Sequence, residues 1–150
     1  MTLGQTVTFT MTDIKTPLEM LFHCEQNAGN QINLRQPINV FLKNFTWSDV
    51  DSPARKIAAR LRAMELEPGS RICIFSKNCA EWFITDLGIM LAGHVSVPIF
   101  PTAGKETVEY VLQHADVKLL FAGKFDAAKQ SFSYIPESVP TVVFPYHDLS

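Results

Sequence analysis

The chain has 150 residues, of which 47% are apolar, and a formal net charge of -2 from 13 basic and 15 acidic side chains. That apolar share is enough to bury the core of one compact domain, and it is far from the composition of a disordered chain. The charges are spread along the sequence with no basic stripe to follow a nucleic-acid backbone, so a nucleic-acid partner is disfavoured.

Residues 1–15 contain one Lys and no continuous apolar stretch, which lacks the charged and hydrophobic regions of a secretory signal and reads as a loosely held arm. The domain is expected over residues 16–150. Thr16-Pro17-Leu18-Glu19 combines an N-cap hydroxyl, a proline at the first helical position and an acid three residues on, so a helix should follow. Gly29 is placed to end it in a left-handed conformation. The branched and aromatic run Gln36–Phe45 suggests a strand. Thr46-Trp47-Ser48-Asp49 then carries a capping-box pattern, and Val50, Ala54, Ile57, Ala58 and Leu61 follow at helical spacing. Pro53 implies either a kink there or a second helix start capped by Ser52.

After the Pro68-Gly69 turn, Arg71–Phe75 is the short apolar run of a strand covered on both faces. Asn78 is positioned to cap a helix through Ala92 that buries Phe83, Ile84, Leu87 and Leu91, with Gly88 permitting close approach and Gly93 closing it. A strand from Val95 to Phe100 follows. The apolar stretch Trp82–Phe100 is long enough to suggest a membrane span, but Asp86, His94 and Pro98 interrupt it and Gly93 splits it into a helical and a strand-like half. A third unit has a helical stripe at Val108, Val111, Leu112 and Ala115 and a strand at Lys118–Ala122, and a less regular stretch holding one helix leads to a last short strand at Thr141–Phe144. Alternation with short connections predicts the α/β class, a mostly parallel sheet with helices on both faces. The pattern has not closed by Ser150, as expected for a piece of a longer protein.

Chemistry is sparse. Thr102-Ala-Gly-Lys-Glu-Thr107 and Gly123-Lys124 each contain a Gly-Lys pair but lack the remaining residues of a phosphate loop. His23, His94, His114 and His147 are too scattered for a metal-ligand spacing, and Cys24, Cys73 and Cys79 read as reduced, buried thiols of a cytoplasmic protein. Ser76-Lys77-Asn78 has the location of a nucleophile elbow without its glycines. Asp49, Asp51, Glu65 and Glu67 are expected on solvated helix surfaces or ends. Sheet geometry places any ligand at loops after the strand ends, namely Ser76–Asn78 and Phe100–Thr102.

The order of motifs carries more than any one of them. Phe45-Thr-Trp-Ser-Asp-Val50, Ile57-Ala-Ala-Arg-Leu61, Leu66-Glu-Pro-Gly-Ser-Arg-Ile-Cys-Ile74, Asn78-Cys-Ala-Glu-Trp82, Leu91-Ala-Gly93 and Val97-Pro-Ile-Phe-Pro-Thr102 together resemble the N-terminal part of the adenylate-forming (AMP-binding) superfamily. With Tyr110-Val-Leu-Gln-His-Ala115 the chain looks most like the long-chain fatty acid CoA ligases, which usually have Tyr where Phe100 stands. The resemblance covers about residues 16 to 124; Pro53, Ser70 and the arm before Thr16 depart from it.

It implies an ATP-dependent acyl-CoA synthetase in which a fatty carboxylate and ATP, with Mg²⁺, give acyl-AMP and pyrophosphate before coenzyme A takes the acyl group. The family's phosphate loop, adenine and ribose contacts and mobile lysine lie later in such chains. No position here matches them, so no catalytic, cofactor-binding or metal residue is assigned, no cofactor is expected on residues 1–150 alone, and the segment is expected to be inactive. Peripheral membrane contact and self-association of the segment are compatible with the same reading. A ligase for another carboxylic acid, or a free-standing α/β interaction module, would share the scaffold.

Overall fold

The computed structural model of the chain describes residues 16–38 and 40–146; the expected arm at 1–15 lies outside the described residues. The first helix, α1 (Pro17–Ala28), starts as the sequence predicts, with Thr16 extended and its hydroxyl accepting the Glu19 N–H at 3.2 Å. Gly29 ends α1 without the left-handed turn, at φ -48°. A Cβ on Gly29 would lie 2.7 Å from the Glu25 carbonyl oxygen and 2.8 Å from Ser48 Oγ, so glycine is required by close packing there.

The run read as one strand over Gln36–Phe45 is an antiparallel hairpin. Its strands, β1 (Ile32–Ile38) and β2 (Phe41–Thr46), pair from Ile38 opposite Phe41 at the tip to Ile32 opposite Thr46 at the base. The sequence there has no Asn-Gly or Asp-Gly pair, the strongest sequence signal for a hairpin, so the reversal is hidden inside a run rich in branched and aromatic residues.

Helix α2 (Trp47–Arg62) follows without a loop. Its capping box is complete: the Thr46 hydroxyl accepts the Asp49 N–H at 3.1 Å, and Asp49 Oδ2 accepts the Thr46 N–H at 2.9 Å. Pro53 sits within this single helix and Ser52 starts no second one. Burial of Val50, Ala54, Ala58 and Leu61 along one stripe outweighs the hydrogen bond that proline removes.

The remaining elements alternate as predicted: β3 (Arg71–Phe75), α3 (Ala80–Leu91), β4 (Val95–Ile99), α4 (Lys105–His114), β5 (Leu119–Ala122), α5 (Ala128–Phe132) and β6 (Thr141–Val143). The strands form a four-stranded parallel sheet in the order β4-β3-β5-β6. Ile72, Ile74, Leu119 and Phe121 point to one face, against Leu61 of α2 and Ile89 of α3. Cys73, Phe75, Leu120 and Ala122 point to the other, against Val108 and Leu112 of α4 and Phe132 of α5. Both faces are therefore covered by helices, as the alternation implied.

Two packing details follow from single residues. A Cβ on Gly88 would stand 2.7 Å from Ile57 Cγ2 and 3.0 Å from the Ala54 carbonyl oxygen, which is the close approach of α3 to α2 expected at that position. Gly93 closes α3 at φ 83°, as predicted. The buried face of α3 runs through Ile84, Thr85, Gly88 and Ile89. It is rotated from the expected stripe, leaving Phe83 44% exposed and Leu87 and Leu91 half-buried. Trp82–Phe100 is thus a buried helix followed by a strand, and no described helix is long and apolar enough to cross a membrane.

Candidate functional site

Strands β3 and β5 are neighbours, yet their outgoing connections part. β3 leads to α3 on the Ile72/Ile74 face, and β5 leads to α5 on the opposite face. Such a switch point leaves a crevice at the carboxyl ends of the strands, where ligands of open α/β sheets bind. Here it brings the Ser76–Asn78 loop beside Gly123–Asp126.

The bottom of the crevice is stitched shut. Buried Ser76 donates from Oγ to the Lys77 carbonyl at 2.7 Å and accepts the Lys124 N–H at 2.8 Å, and the Lys77 N–H donates to the Lys124 carbonyl at 2.9 Å. Lys77 Nζ forms an ion pair with Asp126. Gly123 is not part of a phosphate cradle: a Cβ there would fall 2.1 Å from Ser76 Oγ, so the serine fills the space that glycine leaves. Both hydrogen-bonding roles of the Ser76 hydroxyl are committed, which agrees with the missing elbow glycines.

Two clefts flank this seam. One, of about 300 Å³, is bordered by Arg35 and Gln36 of β1, Asn78, Phe83 and Lys124. Asn78 is exposed and does not cap α3; the N-cap is Cys79, which makes no side-chain cap bond. Gln36 does that work from the hairpin, its Oε1 accepting the Ala80 N–H at 2.6 Å. Gln36 Nε2 also donates to the Tyr146 hydroxyl at 2.6 Å, and that hydroxyl donates to Glu81 Oε2. Burial, and then the Glu81 carboxylate, push the Tyr146 phenol well above its usual range. Sequence reasoning missed this network because its partners are up to 110 residues apart.

The second cleft, of about 350 Å³, is lined by Lys77, Thr102, Gly104, Asp126, Gln130 and Tyr134. Both loops predicted from sheet geometry therefore border a cleft, Ser76–Asn78 on both and Phe100–Thr102 on the second, although Phe100 itself is 82% exposed. The other Gly-Lys pair also has a structural role: Gly104 precedes α4 as its N-cap, and Lys105 pairs with Glu109 one turn on at 3.7 Å.

The remaining reactive residue types are scattered or occupied. His23 and His114 are exposed, His114 stacks on Tyr110 and His94 is buried, while His147 lies outside the described residues. Glu65, Glu67 and Asp49 are exposed as expected, but Asp51 is buried, bound to Arg55 Nε at 2.6 Å, with the guanidinium over the Phe22 ring. That contact ties α2 to α1, and the i,i+4 partner is why an acid is tolerated there. All three cysteines are buried and unpaired; burial pushes the thiols up, Cys73 to about 12, which keeps them protonated and inert. Among the described residues no group of three His, Cys, Asp or Glu side chains could hold a metal ion. Among the described residues the crevice thus offers shape and a few cations, with Ser76 and Gly123 taken up by their own packing.

The family described as AMP-binding enzyme matches residues 24–145. The long-chain-fatty-acid–CoA ligase FadD15 of Mycobacterium bovis is 28% identical over 134 residues, which is 89% of this chain and 22% of that protein. The human long-chain-fatty-acid–CoA ligase ACSBG2 is 39% identical over 84 residues, 56% of this chain and 12% of that protein. The crystal structure of a fatty acyl-adenylate ligase from L. pneumophila, in complex with acyl adenylate and pyrophosphate, superposes with a TM-score of 0.69 at 18% identity, over 84% of this chain and 22% of that one. The chain therefore spans only about a fifth of the length of such proteins. With a parallel sheet of the same fold and a family match over most of its length, the chain belongs to the AMP-binding enzymes.

Proposed function

We propose that this chain forms the N-terminal scaffold of an ATP-dependent ligase that activates a long-chain fatty acid as its adenylate, releasing pyrophosphate, and passes the acyl group to coenzyme A. The family match over residues 24–145 carries the reading, and the long-chain substrate follows the names of FadD15 and ACSBG2. The described residues do not fit ATP, Mg²⁺ or coenzyme A by themselves: the Ala80 N–H at the start of α3 is already taken by Gln36, Ser76 is committed, and no metal-ligand group is present among them. No step of the reaction is accordingly assigned to a residue of this segment, and residues 1–150 alone are inactive on this reading. Three unpaired, buried cysteines favour a reducing compartment, and we place the protein in the cytosol.

The test is pyrophosphate exchange into ATP. A protein carrying this segment and the downstream phosphate loop should exchange when given a long-chain fatty acid, while residues 1–150 should not. Exchange supported by aryl or short-chain acids but not by long-chain ones would change the substrate class and keep the ligase. Absence of exchange with every carboxylic acid offered would overturn the proposal.

A further inference from the structure

We infer that the tip of the β1–β2 hairpin is a docking surface for an anionic lipid bilayer. Along the hairpin face that rests on the body of the molecule, Gln36 and Phe45 are buried at 6% and 8% exposure. Toward the tip the same face runs off the body: Ile38 is 40% exposed and its cross-strand partner Phe41 is 76% exposed. Val40 at the turn is 89% exposed, and Leu42 on the opposite face is 56% exposed. Four large apolar side chains within positions 38–42, from 40% to 89% exposed, therefore face outward among the described residues. Asn39 is the one polar residue in the sequence of positions 38–42, and four large apolar side chains exposed together beside it point to an apolar environment at the tip.

Charge selects the occupant. Arg35 and Lys43 are the charged residues of segment 32–46, with no acid among them, in a chain whose net charge is -2. Both are exposed and lie behind the apolar tip; Lys43 is two residues from Phe41, about 7 Å along an extended strand. Lys43 Nζ sits 4.8 Å from the centre of the Phe45 ring, and Lys124 shares the cleft beside Arg35. Asp49, whose carboxyl feels the Lys43 charge, is held by the Thr46 cap at the far end of the hairpin. An apolar wedge backed by cations at that depth matches the boundary between acyl chains and anionic headgroups. A second copy of the same tip would bring like charges together, which disfavours self-association through this surface.

The experiment is flotation of the 150-residue chain with vesicles of phosphatidylcholine alone or mixed with phosphatidylserine. Recovery should be high on the mixed vesicles, low on the neutral ones, and should fall as salt is raised. Phe41→Asp, at an exposed position, should keep the unfolding midpoint of the parent and lower partitioning by at least about tenfold, because a buried aromatic contact is lost and a charge of the wrong sign is gained. Arg35→Glu with Lys43→Glu should remove the preference for phosphatidylserine, and Tyr110→Asp on α4 should leave binding unchanged. Equal recovery on neutral vesicles, no recovery on either, or unaltered binding by Phe41→Asp would overturn the inference. So would a concentration-dependent dimer that Phe41→Asp dissolves, since it would give the tip to a second copy. The result does not depend on the ligase reading, which pyrophosphate exchange tests separately.

Discussion

At the residue scale the glycines show what a sequence can and cannot reveal. Gly88 and Gly93 sit at helix positions whose spacing announces their roles, one close packing and the other a left-handed stop. Gly123 gives no such signal, because its reason lies on another strand: the Ser76 side chain occupies the place of its missing Cβ, and Phe144 Cδ2 lies 2.6 Å from that point. Gly123→Ala should therefore cost about 1–3 kcal/mol through overpacking, read as a lowered midpoint in urea or thermal unfolding. Made together with Ser76→Gly, the same substitution should cost less than the two singles summed, since the clash with Ser76 is removed and only that with the Phe144 ring remains. Additive losses would show that Gly123 is required for another reason.

At the scale of elements, the helices were legible where the groups that start them are local. Thr16 with Glu19 and Thr46 with Asp49 are caps within four residues, and both helices begin where those residues place them. The start of α3 was misread through Asn78 because its cap comes from Gln36, on a hairpin that itself looked like one strand. Gln36→Ala should leave the buried Ala80 N–H without an acceptor and cost about 1–3 kcal/mol, more than removal of an exposed cap would. Thr46→Ala should cost about 1 kcal/mol near neutral pH. The backbone N–H of Thr46, and then its hydroxyl, hold the Asp49 carboxyl below its ordinary value of 3.8, so that contribution is present above pH 3.8 and is lost as pH falls through the lower folded value. The stability difference between parent and Thr46→Ala should accordingly shrink in acid, as measured by urea unfolding at a series of pH values.

At the scale of the whole molecule, the layer order was legible from alternating periodicities, whereas the strand order β4-β3-β5-β6 was not, because it depends on which edge each crossover returns to. That order puts β3 and β5 at the centre and buries every side chain from Ile72 to Phe75 and from Leu119 to Ala122, including the Cys73 thiol. The core is thereby linked to pH in the alkaline direction. Folding raises the Cys73 thiol from its ordinary 9.0 to about 12, so above pH 9 the unfolded chain gives up a proton that the folded chain retains. The stabilising effect is complete below pH 9 and declines toward pH 12. Unfolding free energy should fall across that window in the parent, and Cys73→Ala, although less stable throughout, should show a shallower decline. In the same molecule iodoacetamide at pH 8 should modify none of Cys24, Cys73 or Cys79 while the chain is folded and all three in denaturant, as read by intact mass. Rapid modification of Cys73 in the folded chain would mean that the central strands open far more readily than a core closed on both faces by helices allows.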